Sequence, residues 1–278
     1  MSGTKERPGW SKPFEPGALR ELEQVPPLET VTPDWAWGGS DGAGVKVAVL
    51  DSGVNTAHPA IDGRVAGYMA IGEEGGKLTF DDAPHEDVFG HGTACAGIIL
   101  SLAPKCDIYS VRVLDPLLTG RGTVFAAGLR WAIENGMNVV NMSLTTPRKE
   151  YFAVLHELAD RAYFDNIMLV TSANNSPIES FPAMFSSVIA VASHDVDDPY
   201  LFYYNPSPPV EFGAHGVDVK VAWREGWMTT TGNSFATPHI AGITTKILGK
   251  HPGLTGFQMK VILRALSANV AGTAGNQG

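Results

Sequence analysis

The chain has 278 residues, a length that suits one large domain or two small ones. Hydrophobic residues make up 44% of it and charged residues 18%, which is typical of a globular protein with a large buried core. The formal net charge is −9 and lysine and arginine form no cluster, which argues against a nucleic-acid partner. No apolar run reaches the roughly 18 residues of a membrane-spanning helix, so we expect no membrane partner.

The first 26 residues are rich in proline, glycine and charge, and they predict an N-terminal extension on the surface with a short helix at Ala18–Gln24. Residues 27–268 are expected to form one domain. The tail, residues 269–278, is rich in glycine and alanine and is predicted to be disordered. No internal repeat or low-complexity stretch interrupts the chain.

Cellular location is inferred from the cysteines and from the start of the chain. Cys95 and Cys106 are the two cysteines; a disulfide between them stays open, but two cysteines do not make the framework of a secreted scaffold. The first residues lack the apolar core of a signal peptide. We therefore expect a cytoplasmic protein, with a mature secreted form given a new initiator methionine as the alternative.

Short apolar runs alternate with helical patterns along the chain, which predicts right-handed βαβ units, a mostly parallel sheet and an α/β fold. Each run is of the kind that parallel strands buried on both faces require. The predicted strands are Val45–Asp51, Ile108–Leu114, Val139–Leu144, Ile167–Ala173 and Val188–Ala192. The predicted helices are His91–Leu102, Gly122–Asn135, Glu150–Asp165 and Leu254–Leu266.

Two polar residues fall where α/β proteins place their sites, at the carboxyl ends of strands and the starts of helices. Asp51 closes the first predicted strand, although a lone aspartate there is more often a turn or cap residue. His91 lies between Gly90 and Gly92, which allow backbone and substrate to approach the imidazole. A histidine that merely begins a helix is the alternative for His91.

Ser234 follows Gly232-Asn233 at the head of an apolar helix, where its hydroxyl and amide meet the positive end of the helix dipole. Pro238 is tolerated only in a first helical turn, so this helix must begin near Ser234. A serine that only caps the helix is the alternative.

The segments VAVLDSGV, GHGTACAG and GNSFATPHIAG, in this order, resemble the three active-site motifs of the subtilisin-like serine proteases. The resemblance implies a three-layer αβα fold with a mostly parallel central sheet in a single domain. It also implies that Ser234 is the nucleophile, that His91 carries the proton and that Asp51 orients the imidazole. Activity should then rise as His91 loses its proton, near the ordinary histidine pKa of about 6.5.

The family completes its oxyanion hole with an asparagine after the fifth strand. The register of Ser172-Ala-Asn-Asn175 gives that role to Asn175, with Asn174 as the alternative. In the family, the substrate peptide lies as a strand between two backbone segments. The resemblance maps these segments to Gly120 and Gly122 and to Ser143, Leu144 and Thr145.

Two departures from the family concern the pocket for the cleaved residue. Thr145 and Thr146 stand where glycines usually follow the Ser-Leu pair, which should narrow that pocket. The pocket floor maps to Glu179-Ser180-Phe181-Pro182, where the Glu179 carboxylate would either face a lysine or arginine of the substrate or point to water. Two further departures flank the nucleophile, where Asn233 and Phe235 replace the family's threonine and methionine.

No cofactor is expected, and no metal. The family's calcium site needs an acid where this chain has Ala60, and it needs a long loop where the chain runs directly from Leu100 to Pro104. A metal hydrolase is a minor alternative because acids and histidines crowd one stretch, but no HExxH spacing occurs. The crowded residues are Asp81, Asp82, His85, Glu86, Asp87 and His91.

The sequence therefore favours a serine endopeptidase whose partner is a peptide or protein substrate, with a dedicated processing role. In organisation it is most similar to the intracellular subtilisins. Two alternatives use the same residues: a macrocyclising or maturation transpeptidase, in which an amine resolves the acyl-enzyme, and a silent relative that binds peptides without cutting them. The oligomeric state stays open.

Overall fold

A nine-stranded sheet organises residues 30–270, the part of the chain that the computed structural model describes. The predicted helix Ala18–Gln24 and the tail from residue 271 lie outside this range. The strands of the sheet are β1 (Lys46–Asp51), β2 (Val65–Glu74), β3 (Lys77–Asp81), β4 (Asp107–Arg112), β5 (Val139–Met142), β6 (Met168–Ser172), β7 (Ile189–His194), β8 (Phe202–Tyr204) and β9 (Phe212–His215). A separate hairpin consists of β10 (Val219–Trp223) and β11 (Gly226–Thr230).

The strand order is β3-β2-β4-β1-β5-β6-β7-β9-β8. Every pairing between β2 and β9 in this order is parallel, and only the edge strands β3 and β8 are antiparallel to their neighbours. The five strands expected from the apolar runs are confirmed as β1, β4, β5, β6 and β7. Their ends differ from the expected ones by a few residues, as is usual for boundaries read from pattern alone.

Helices cover both faces of the sheet. They are α1 (Pro33–Trp37), α2 (His91–Leu102), α3 (Gly122–Glu134), α4 (Phe152–Phe164), α5 (Asn233–Lys250) and α6 (Gly256–Leu266), and a short 3-10 helix, Lys149–Tyr151, precedes α4. Successive side chains of β1 enter opposite cores because a strand points its residues alternately to its two faces. Val47 and Val49 pack with α2, α5 and α6, whereas Ala48 and Leu50 pack with α3 and α4. The predicted three-layer αβα fold is confirmed.

The sequence pattern missed the strands that carry no strong apolar run. β3 is exposed along its whole length and β2 is only partly buried, so neither shows the signal of a doubly covered strand. The strands β8 and β9 are too short to stand out from the surrounding loops.

Three neighbouring strands end at the same edge of the sheet and define where a site can form. In register, Leu50 of β1 lies beside Met142 of β5, which in turn lies beside Thr171 of β6. The residues that follow these strands are therefore adjacent in space. The amino end of α5 meets the same edge, because α5 packs along β5, β6 and β7.

Candidate active site

Asp51 and His91 form a buried pair at this edge. The Nδ1 atom of His91 lies 2.9 Å from Oδ1 and 2.8 Å from Oδ2 of the Asp51 carboxylate. Asp51 is 0% exposed and His91 is 7% exposed, so water does not compete for this contact. Because Nδ1 is engaged with Asp51, Nε2 is the imidazole nitrogen left to exchange a proton with a reacting group.

The glycines around His91 let the β1 loop approach α2 this closely. A Cβ atom at position 92 would lie 2.0 Å from the carbonyl oxygen of Gly53, a distance that no side chain tolerates. Gly90, the residue just before α2, has a φ of 118°, in the region that favours glycine. The Gly-His-Gly motif is therefore a steric requirement for bringing the imidazole to Asp51.

Asp87 joins the residue after Asp51 to the helix that carries His91. Its Oδ1 accepts a hydrogen bond from the Ser52 hydroxyl at 2.7 Å, and its Oδ2 accepts from the hydroxyl and the amide of Thr93 at 2.6 and 2.8 Å. The amides of Phe89 and Gly90 also donate to Oδ1. This carboxylate therefore joins the segment after β1 to the start of α2.

The metal cluster that the sequence allowed is not assembled within residues 30–270. In that part of the chain, the only group of three or more His, Cys, Asp or Glu side chains close enough to share an ion is Asp51, His91 and Cys95. Asp87 is committed to the bonds just described, and His85 Nε2 lies 2.9 Å from the Ser110 hydroxyl. Asp82, His85, Glu86 and Asp87 lie in the segment between β3 and α2, whereas Asp81 ends β3 and His91 begins α2.

Cys95 is a neighbour of the pair that sequence reasoning did not single out. Its Sγ lies 3.8 Å from Asp51 Oδ2 and 3.4 Å from the Ser143 hydroxyl. Burial raises the pKa of the Cys95 thiol, which keeps it neutral. Cys95 and Cys106 are both buried and free, so the disulfide left open by the sequence is not formed.

Two opposing effects set the pKa of His91. Burial disfavours the charged imidazolium, but the Asp51 carboxylate favours it more, and the result holds the pKa of His91 well above its usual value. The expectation of an ordinary value near 6.5 is therefore corrected. The contact of Nδ1 with both carboxylate oxygens is the cause.

Ser234 lies in the first turn of α5, and the predicted helix start near this residue is confirmed. Its carbonyl oxygen accepts a hydrogen bond from the Ser143 hydroxyl at 2.9 Å, and Asn141 Nδ2 donates to that hydroxyl at 3.1 Å. The turn bearing Ser234 is thus tied to the end of β5. The ring of Phe235, the residue after Ser234, lies 5.2 Å from the imidazole of His91.

The two asparagines after β6 have different partners. Asn175 Oδ1 accepts a hydrogen bond from the backbone N–H of Asn233 at 3.0 Å, which fixes the oxygen toward that amide and leaves Nδ2 available as a donor. Asn174 Oδ1 accepts from the amide of Ser176 at 2.9 Å within its own loop. The Asn175 side chain is thus bound to the residue that precedes Ser234, whereas the Asn174 side chain is bound within its own loop.

A cleft of about 490 Å³ runs past these groups, and we name it the Ser234 cleft. It is bounded by His91 and Ser234 and by residues from three segments: 114–125, 143–147 and 172–175. All five residues predicted to bind substrate line it, namely Gly120, Gly122, Ser143, Leu144 and Thr145. Asn174 and Asn175 line it as well, so the structure brings the predicted site residues together.

Gly122 is the first residue of α3, so its backbone is helical. The extended part of that segment ends at Arg121, whose φ and ψ are −79° and 141°. The segment that carries Gly120 and Gly122 is therefore extended at Arg121 and helical from Gly122 onward.

The residues mapped to the pocket floor differ in their exposure. Glu179 is exposed and lies outside the residues that line the Ser234 cleft, which fits the alternative that its carboxylate points to water. Phe181 is buried, and its backbone exchanges hydrogen bonds of 3.0 and 2.8 Å with Thr146, which lines the cleft. The wall behind Thr146 is therefore apolar, and the expected preference for lysine or arginine loses its basis.

Glu73 is a second residue that the sequence did not reveal. Its carboxylate accepts hydrogen bonds from the Arg121 guanidinium and, at 2.5 Å, from the Thr123 hydroxyl. These bonds attach the β2–β3 hairpin to the cleft segment that carries Gly120. No local sequence signal connects these residues because they lie far apart along the chain.

A model described as the Subtilase family matches residues 42–278. The fold, the buried Asp–His pair and the serine at a helix start are what this family of serine proteases requires. The chain therefore belongs to the subtilase family, and its substrate is a peptide or protein.

Individual relatives agree with this assignment. The chain is 33% identical over 234 residues to a protein named "Thermostable alkaline protease" from Halalkalibacterium halodurans, covering 80% of this chain and 62% of that protein. It is 31% identical over 248 residues to Subtilisin DY from Bacillus licheniformis, covering 84% of this chain and 86% of that one. Among solved structures, "Crystal structure of a cold adapted subtilisin-like serine proteinase" is similar with a TM-score of 0.66 and 29% identity, covering 81% of this chain and 83% of the other.

Within the part of the chain that the structure describes, none of the helices has the length and apolar character needed to cross a membrane.

Proposed function

We propose that the protein is an endopeptidase that hydrolyses peptide bonds through an acyl-enzyme on Ser234. The observation that carries this proposal is the buried contact between Asp51 and His91 Nδ1, at 2.8 Å, in the cleft that also holds Ser234. This contact orients the imidazole and leaves Nε2 for the Ser234 hydroxyl.

In this mechanism Ser234 Oγ forms a bond to the substrate carbonyl carbon while its proton passes to His91 Nε2. His91 then gives the proton to the amine nitrogen as the carbon–nitrogen bond breaks. A water molecule then attacks the carbonyl carbon of the acyl-enzyme and gives a proton to His91 Nε2. His91 returns that proton to Ser234 Oγ as the carbon–Oγ bond breaks, which releases the carboxylic acid and regenerates Ser234. Asp51 stabilises the imidazolium at each stage without taking its proton.

The negative charge that develops on the carbonyl oxygen needs donors already in place. We assign this role to the Ser234 amide, at the positive end of α5, and to Asn175 Nδ2. The hydrogen bond from the Asn233 amide to Asn175 Oδ1 supports this assignment, because it fixes the amide group before substrate binds.

A fluorophosphonate probe tests the proposal, because it reacts only with an activated serine. Wild-type protein should be labelled at Ser234, and Ser234→Ala should abolish both labelling and peptide cleavage. Ser101→Ala is the matched control, since this serine lies at the end of α2 outside the Ser234 cleft. A folded wild-type protein that resists the probe at alkaline pH would instead be the silent, peptide-binding relative.

A dedicated processing role is the finer proposal. Thr145 and Thr146 line the cleft where the family usually has glycine, and Phe181 packs behind them, which supports a narrow specificity against large aromatic residues. Cleavage of a peptide library, with product masses scored, tests it. A broad profile rich in phenylalanine or tyrosine would refute the narrow pocket, and products that lack added water would indicate transpeptidation.

We further propose that the enzyme acts in the cytoplasm without a nucleic-acid or membrane partner. The two buried free thiols support the cytoplasmic location. The net charge of −9 supports the absence of a nucleic-acid or membrane partner. Fractionation of the producing cells with an antibody against the protein tests the location, and activity recovered only from the medium would contradict it.

A further inference from the structure

We propose that Asn233 is a positioning residue for the oxyanion hole: its side chain fixes the loop that carries Asn175 relative to Ser234. The inference rests on the function proposed above and assigns a role to a residue that departs from the family pattern. Asn233 immediately precedes Ser234 and is the first residue of α5.

The Asn233 side chain bonds to two segments distant in sequence. Its Nδ2 donates to the carbonyl oxygens of Ala173 and Asn174, at 3.3 and 3.2 Å, in the loop after β6. Its Oδ1 accepts from the amide of Ser193, at 2.9 Å, in β7. One planar amide group therefore ties the oxyanion loop and a neighbouring strand to the start of α5.

The backbone of the same residue completes the connection. The Asn233 N–H donates to Asn175 Oδ1 at 3.0 Å, so Asn233 contacts Asn175 directly and also holds the residues just before it. The loop beyond has little other support, since Asn175 and the residues from Ser176 to Glu179 are exposed. An exposed loop needs such fixed points if its amide is to be in place before charge develops.

Asn233 does not itself act as the oxyanion donor. Both hydrogens of Nδ2 are used by the carbonyls of Ala173 and Asn174, and Oδ1 is an acceptor occupied by Ser193. The threonine that the family has at this position carries a single hydroxyl donor on a shorter side chain. It cannot reproduce the paired donation to two carbonyls, so this connection belongs to the asparagine.

The oxyanion bond strengthens only as the transition state forms, so a displaced Asn175 lowers kcat and leaves KM nearly unchanged. We expect Asn233→Ala and Asn233→Asp each to lower kcat by about 10- to 100-fold, because misplacing a catalytic group by about 1 Å has effects of this size. Asn233→Asp is nearly isosteric and keeps the acceptor for Ser193, but it removes the donors to the loop.

A double-mutant cycle separates positioning from general damage. If Asn233 acts through Asn175, then adding Asn233→Asp to Asn175→Ala should lower kcat by less than about twofold further, since the oxyanion contact is already gone. Equal losses in both backgrounds, a rise in KM alone, or an unchanged kcat in both Asn233 variants would overturn the proposal.

Asn205→Ala provides the matched control. Asn205 also makes one accepted and two donated hydrogen bonds to backbone, with Ser207 and Val210, in the loop between β8 and β9. It should lower the melting temperature about as much as Asn233→Ala but leave kcat unchanged.

Titration with the fluorophosphonate distinguishes the failure of the proposed function from the failure of the role of Asn233. A wild-type protein that is not labelled would contradict the proposed function. Full labelling of Ser234, together with additive losses of kcat in the double-mutant cycle, would contradict only the role of Asn233.

Discussion

Asp87 accepts a hydrogen bond from the Ser52 hydroxyl at 2.7 Å, although the two residues are 35 positions apart. The other carboxylate oxygen binds Thr93 twice, so one aspartate joins the loop after Asp51 to the helix that begins with His91. The positions of the Asp51 and His91 side chains thus depend on a third side chain, the Asp87 carboxylate, which joins the segments that carry them.

Asp87→Ala should therefore lower both stability and activity. Ser52, Thr93 and the amides of Phe89 and Gly90 would lose their acceptor, and unpaired polar groups destabilise by about 1–3 kcal/mol. Urea unfolding and kcat/KM measure the two effects. The exposed neighbour Asp82 supplies the control, and an equal loss in Asp82→Ala would show that the effect is not specific to this network.

The activity of the enzyme should rise with pH along a limb whose midpoint lies above the ordinary histidine value of about 6.5. Burial opposes protonation of His91, but the Asp51 carboxylate raises its pKa, so more alkaline solution is needed to produce the neutral base. The profile of kcat/KM against pH measures this directly. A midpoint at or below 6.5 would contradict the assigned Asp51–His91 interaction.

The raised pKa of His91 also predicts how the stability of the fold changes with pH. Because the pKa of His91 is raised in the folded state, the protonated pair stabilises the fold fully below pH ~6.5, and this contribution is lost as pH rises through the folded pKa. Ser234→Ala avoids self-digestion during the measurement. The unfolding free energy of Ser234→Ala should fall as the pH rises above about 6.5. The fall should be smaller in the double variant that carries both Ser234→Ala and Asp51→Asn.

Asn175→Ala should lower kcat with little change in KM, because its amide bonds to the oxyanion only in the transition state. The expected size is about 10²–10³, a magnitude known from subtilisin rather than derived from this chain. Asn174→Ala is the matched control, since its Oδ1 is bound within its own loop. The reverse result would transfer the donor role to Asn174.

Glu73→Gln should raise KM about two- to fivefold for extended peptides and leave kcat nearly unchanged, because it weakens charge-assisted bonds to the segment that carries Gly120. The effect is modest because Arg121 is 66% exposed and solvent screens its charge. Glu74→Gln, at the exposed end of β2, is the control. An equal change in both variants would indicate a general charge effect.

Calcium chelation should leave stability and activity unchanged. Calcium needs six to eight oxygen ligands. Ala60 stands where the family's calcium site has an acid, and only Ala103–Cys106 separate α2 from β4, where that site needs a long loop. Thermal melts in millimolar EDTA and in millimolar calcium check this. A difference of more than about a few degrees would reveal a bound structural ion, since a ligand of the native state raises its stability.

The sequence by itself determined the architecture and pointed to the candidate reactive residues. β1 and α2 were predicted to within a residue because buried strands and helices carry strong periodic patterns. The three motifs named Asp51, His91 and Ser234 because each constrains its local backbone, as the steric limit at Gly92 illustrates. The exposed strand β3 escaped prediction because nothing in its pattern reports burial.

Only the tertiary structure decided how distant groups meet. The bonds between Asn233 and the loop of Asn175, from Thr123 to Glu73 and from Ser52 to Asp87 all join residues far apart in the chain. The sequence left two orientations open for Glu179 for the same reason, since sequence order does not say which loop side chain faces a cleft. The pKa of His91 depends on burial and on distance to a charge, and these quantities exist only once the chain has folded.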